Sequence, residues 1–149
     1  MAQTTEQQTL YERDFLLWLT ETIAHLRTGH FDVVDLKHLV EELEGSANRD
    51  RREVSSRLRV LLSHLLKRLY VPNPYGYRGW EATIREQRRQ LEETLEQSPS
   101  LRDYFIEVFD KAWNRALSDT RQEYLQVTFP DQWQFSHDVD SILTEEFWQ

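Results

Sequence analysis

Arg51-Arg52-Glu53-Val54-Ser55-Ser56-Arg57-Leu58-Arg59-Val60-Leu61-Leu62-Ser63-His64-Leu65-Leu66-Lys67-Arg68-Leu69-Tyr70 is the most regular stretch of this 149-residue chain. Val54, Leu58, Leu61, Leu62, Leu65 and Leu69 recur at the spacing of one helix face. At 3.6 residues per turn the face holds for more than four turns. A helix this regular needs cover along its leucine stripe, so the neighbouring segments should supply further amphipathic helices.

They do so on both sides. Tyr11, Phe15, Trp18, Leu19, Thr22, Ile23 and Leu26 predict a first helix from about Leu10 to Thr28, stopped by Gly29. Asp35 reads as the N-cap of a second helix, Leu36 to Glu44, with Leu36, Leu39, Val40 and Leu43 turned inward. Gly45-Ser46 then predicts a break or kink, because glycine costs about 1 kcal/mol inside a helix and Ser46 offers a cap. Two Pro and two Gly within 71–79 predict a loop, after which Trp80 opens a helix through Ile84, Leu91 and Leu95. Ser98-Pro99 predicts the start of a last long helix, to about Gln122, apolar around most of its circumference. The aromatic tail, Phe129 to Trp148, reads as a strap over that helix, with a short helix near 138–143. A dimer interface is the other reading of that apolar surface.

The expected architecture is all-α: a small up-and-down helical bundle of four to five helices with a C-terminal strap. Residues 1–9 should be a disordered lead-in, 10–126 the bundle, and 127–149 the strap packed on the same domain.

Composition excludes more than it suggests. With no Cys there is no disulfide scaffold and no thiolate chemistry. No apolar run has the length of a membrane span, and the first ten residues do not resemble a signal peptide, so a cytoplasmic protein without a membrane role is expected. The net charge of −8 hides three blocks: −6 over 1–48, +7 over 49–89 and −9 over 90–149. A basic centre can attract a phosphate backbone, or pair with its own acidic flanks. In an acidic protein internal pairing is the stronger expectation.

Projected at 100° per residue, Arg57, His64 and Arg68 border the leucine stripe, and Arg88 borders the stripe of the Trp80 helix. Glu42 and Glu44 flank the Leu36 helix. These six residues form a candidate ion-pair cluster, or an anion pocket if they open to solvent. Tyr75, Tyr77, Arg78 and Trp80 form a candidate partner-contact loop, since Tyr, Arg and Trp dominate interface hot spots; pinning the loop to the bundle is the alternative. His38 with Glu41 and Glu42 has metal-ligand spacing, but the pair occurs once and in the reverse order of di-metal bundles, so no metal is expected. Glycine-rich phosphate loops, nucleophile elbows and metalloprotease motifs are absent, and no catalytic residue or cofactor is expected.

The ordered series Tyr11…Asp14-Phe15…Trp18-Leu19, Asp35-Leu36…Leu39…Glu41-Glu42-Leu43-Glu44 and Arg57-Leu58…Leu61-Leu62…His64-Leu65-Leu66-Lys67, followed by Trp80…Thr83-Ile84…Gln87-Arg88 and Ser98-Pro99-Ser100-Leu101, resembles the bacterial family called Domain of Unknown Function 29. That family is helical and frequent in cyanobacteria. The resemblance implies a helical fold and carries over no catalytic residue. The functional expectation is therefore a non-enzymatic cytoplasmic protein acting through a protein partner or self-association. The alternative is a nucleic-acid-associated or anion-binding protein that uses the basic segment 49–89.

Overall fold

The computed structural model of the chain describes residues 8–149, and every described regular element is helical. Six α-helices run in order: α1 Leu10–Arg13, α2 Phe15–Arg27, α3 Leu36–Tyr70, α4 Pro74–Gln97, α5 Leu101–Glu123 and α6 Val139–Thr144, with a 3-10 turn at Phe31–Val33. The first seven residues of the expected lead-in lie outside the described residues, while Thr9 caps α1 by accepting from the Glu12 N–H.

Local chemistry explains most boundaries and corrects several expectations. The first helix is interrupted, because the Asp14 side chain accepts from the Leu17 N–H at 3.0 Å and starts α2 afresh. Gly29 does stop α2, at φ +77°, with the His30 N–H bonded to the His25 carbonyl at 2.9 Å, a Schellman turn. Asp35 opens α3 by accepting from the His38 N–H.

The break at Gly45-Ser46 does not occur: α3 runs through both residues for 35 positions. Glutamates before the pair and Ala47 and arginines after it are good helix formers, and one glycine's cost is small against them. The loop expected over 71–79 shrinks to 71–73, since Pro74 takes the first position of α4 and Tyr75 to Gly79 are helical. The long last helix starts two residues late, because Ser98 closes α4 and a turn bonds the Leu101 N–H to the Ser98 carbonyl.

The chain divides into two compact units, one up to Ala47 and one from Asn48 to Gln149. The expected single bundle over 10–126 is therefore split inside α3, and the strap belongs to the second unit. In that unit the Val54–Leu66 face of α3 is buried with Ile84, Leu91 and Leu95 of α4 and with Leu101 to Leu117 of α5. Phe129, Trp133, Ile142, Leu143 and Phe147 of the tail complete this core. Trp113 and Trp133 donate their indole N–H groups to the Asp131 and Ser136 carbonyls, each at 3.0 Å, so both large rings enter the core with their polar atoms satisfied.

The first unit has far less interior. Only Trp18 and Thr22 of α2 are buried, α1 and the 3-10 turn bury nothing, and the first buried residue of α3 is Val54.

Candidate functional site

In the first unit the polar side of α3 faces α1 and α2. The Tyr11 ring stacks on His38 with centroids 4.1 Å apart and meets Trp18 edge-on at 4.9 Å. Its hydroxyl donates to the Glu42 carboxylate, and that bond holds the phenol pKa up at about 12, with burial adding a smaller push. His38 Nδ1 lies 2.5 Å from Asp35 Oδ2, and this hydrogen bond pulls the Asp35 carboxyl below its ordinary value. The buried Trp18 indole N–H faces the same carboxylate without closing a hydrogen bond of normal geometry, and adds to the lowering.

Because Asp35, His38 and Glu42 turn inward, the apolar side of α3 turns out. This reverses the expected orientation for three of the four residues: Leu36, Val40 and Leu43 are exposed, while Leu39, like His38, is half-buried. Phe15, Leu16, Leu17, Ile23 and Leu26 of α2 and Phe31 and Val33 of the turn are exposed as well. Thus ten of the thirteen exposed large hydrophobics among the described residues lie before Ala47, at exposures from 39% to 72%.

The expected cluster of Arg57, His64, Arg68, Arg88, Glu42 and Glu44 does not assemble. Glu42 takes the Tyr11 hydroxyl and Glu44 is exposed. Glu42 and Glu44 belong to the first unit and the four basic residues to the second. The expected meeting required the Leu36 helix to be a neighbour of the central helix, and the two are one helix, α3.

Each basic member instead finds its own acceptor in the second unit. Arg57 bonds Glu53 at 2.9 Å and Gln87 at 3.2 Å; Arg68 bonds Glu81 at 2.9 Å and lies 3.8 Å over the Tyr77 ring. His64 Nδ1 donates to the Val60 carbonyl at 2.8 Å, and burial lowers its pKa. Arg59 meets Asp119 at 2.6 Å and Lys67 meets Glu123 at 3.0 Å, which ties α3 to α5.

Arg88 does something the residue pattern did not indicate. Its buried guanidinium donates to the Ile142 and Glu145 carbonyls, at 3.0 and 2.7 Å, where α6 ends. A cation at the carbonyl end of a helix complements the helix dipole. Burial lowers the Arg88 pKa, against the pull of Glu92, Glu146 and Glu145.

The candidate contact residues are dispersed over the first turns of α4. Tyr75 is 99% exposed, whereas Tyr77 lies under Arg68 and Trp80 packs edge-on against Tyr124. Gly76 is glycine for a reason: a Cβ there would sit 2.7 Å from the Trp80 ring.

The surface of the second unit carries several recesses, two of which hold groups of interest. One, about 460 Å³, lies between α5 and the strap and is lined by Phe109, Asp110, Trp113, Asp131, Trp133 and His137. The other, about 370 Å³, holds Arg59, His64 and Lys67, but Asp119 and Glu123 share it and neutralise two of its cations. Among the described residues no cluster of His, Asp and Glu could hold a metal, and no helix is long and apolar enough to cross a membrane.

The family model described as "Domain of unknown function DUF29" matches residues 10–148. The chain belongs to the DUF29 family. A crystal structure of an alpha-helical protein of unknown function from Rhodospirillum rubrum resembles this DUF29 chain with a TM-score of 0.60. That match is 22% identical in sequence and covers 95% of this chain and 93% of the other, a likeness that establishes the fold alone. No curated protein matches the sequence. The family description names no activity, and the DUF29 match extends through both units and the strap.

Proposed function

We propose that this DUF29 chain is a non-enzymatic cytoplasmic protein that works by docking a protein partner on the helical hairpin of its first unit. The observation that carries this reading is the set of exposed apolar side chains on α2, the 3-10 turn and α3. A typical monomer exposes a largest apolar patch of roughly 300–600 Å². With about 100–150 Å² of apolar area on each such side chain, the ten residues before Ala47 leave roughly 500–800 Å² uncovered.

A stretch of about 40 residues with so little interior usually needs a disulfide, a metal or another chain. This chain contains no cysteine, and no metal-holding cluster is found among the described residues. A protein surface is the remaining cover. The basic segment is a weaker support for nucleic-acid binding, since Arg57, Arg59, Lys67, Arg68 and Arg89 all hold carboxylates within the chain.

A photocrosslinking residue placed at Leu43 tests the reading in cells. The expected result is a defined adduct from that position and none from Leu125, which is more exposed still. Labelling only of solvent from Leu43 would overturn the proposal.

A further inference from the structure

We infer that the partner on this face is a second copy of the chain, held by antiparallel packing of the first third of α3 against its symmetry mate. The inference rests on the reading of the hairpin as a docking surface and names its occupant.

Three observations converge on a second copy. The first is the stripe itself. At 100° per residue Leu36, Val40, Leu43 and Ala47 fall within about 60° of one another, at spacings of four, three and four. That is the spacing of a coiled-coil seam, which packs against a helix of the same pattern. The stripe reads the same from either end, as a two-fold axis between Glu41 and Glu42 requires: Val40 meets Leu43 of the mate, and Leu36 meets its Ala47.

The second is charge. Lys37 and Glu44 lie on one flank of the stripe, seven residues apart, both exposed and in no ion pair among the described residues. Antiparallel packing brings Lys37 of each copy beside Glu44 of the other, so one arrangement makes two pairs. Parallel packing would set both charges against the uncharged Leu39 and Ser46 flank of the mate and make neither pair. The opposite flank carries Leu39 and Ser46 and holds no charge to repel a mate. Asp35, His38 and Glu42, which would oppose an acidic twin, are turned away from the stripe and toward Tyr11 and Trp18.

The third is area. Stable interfaces bury about 800 Å² on each partner. Leu36, Val40 and Leu43, at 64%, 48% and 63% exposure, supply about 180–260 Å² of apolar centre to such an interface, and the flanks of the stripe supply the rest. A face that meets its own copy across a two-fold axis is also the commonest way for soluble chains to associate.

Equilibrium sedimentation of the full chain at micromolar concentrations, with an environment-sensitive apolar dye as a second readout, tests this. The wild type should sediment at twice 18.0 kDa. Leu43→Glu should be monomeric with unchanged helical circular dichroism, because Leu43 makes no core contact within its own chain. Lys37→Glu alone and Glu44→Lys alone should each weaken the dimer by about tenfold, and the double variant should restore it. A dimer that survives Leu43→Glu, or a double variant as weak as the singles, would overturn the arrangement. A monomeric wild type that binds dye, with the binding lost in Leu43→Glu, would exclude the second copy while leaving the docking surface intact. A monomer that binds no dye would remove both readings.

Discussion

Without its guanidinium, Arg88 would leave the buried Ile142 carbonyl and the part-buried Glu145 carbonyl without its donors. Losing a charged donor to such acceptors costs about 2–3 kcal/mol, so Arg88→Met should lower the unfolding free energy read from chemical denaturation by that amount. Arg88→Lys should recover only part of it, since one ammonium does not reproduce the planar fork. His64 sets a pH response of opposite character. Its folded pKa lies below 6.5, so between that value and 6.5 the unfolded chain takes up a proton that the folded chain refuses. Stability should therefore fall as pH drops through 6.5 and level off below the folded pKa, and His64→Leu should flatten that part of the curve. Asp35, also lowered, acts in a separate window: its contribution is present above 3.8 and is lost as pH falls below that.

Glycines 45 and 76 give a matched pair of tests within helices. A Cβ at Gly45 meets nothing within 4 Å, so Gly45→Ala should stabilise by about 0.5–1 kcal/mol, through helix propensity alone. A Cβ at Gly76 meets the Trp80 ring at 2.7 Å, so Gly76→Ala should destabilise by about 1–3 kcal/mol, read by thermal denaturation. The same pair marks what could be read in advance. The leucine face of α3 was legible because periodicity reports burial directly, and Gly29 because positive φ favours one residue type. Gly45 was misread as a stop because a local cost of about 1 kcal/mol is outvoted by the helix formers around it. The apolar stripe at Leu36 was legible as a stripe. Its direction was not, since periodicity fixes which residues share a face and never which neighbour covers it. Arg88 escaped for a related reason: backbone carbonyls are everywhere, so their use as acceptors leaves no trace in residue type.

Each of the two units carries its own balance of burial and ordering cost. The second unit holds all the large fully buried side chains among the described residues, from Val54 to Ile142, and should report the global unfolding free energy in amide exchange. The first unit, with Trp18 and Thr22 as its interior, should exchange faster in dilute solution. Its protection should rise with protein concentration if a mate covers it, while the amides of Asn48–Gln149 stay unchanged. Exchange rates equal in both units at every concentration would contradict this division. The fold class was readable from sequence because each helix declares itself locally. The partition was not, because it depends on how much surface each hairpin can hide.

The strap gives this molecule a clock. Phe109 and Trp113 of α5 pack on Trp133, and Trp133 packs on Phe147, both made after them. At roughly 5–20 residues per second of synthesis, Phe147 is added about one to several seconds after the end of α5. Until then part of the cover of α5 does not exist. The Arg88 clamp also waits, since its acceptors on Ile142 and Glu145 follow it by 54 and 57 residues, and the second unit can complete its core only after synthesis has reached Phe147.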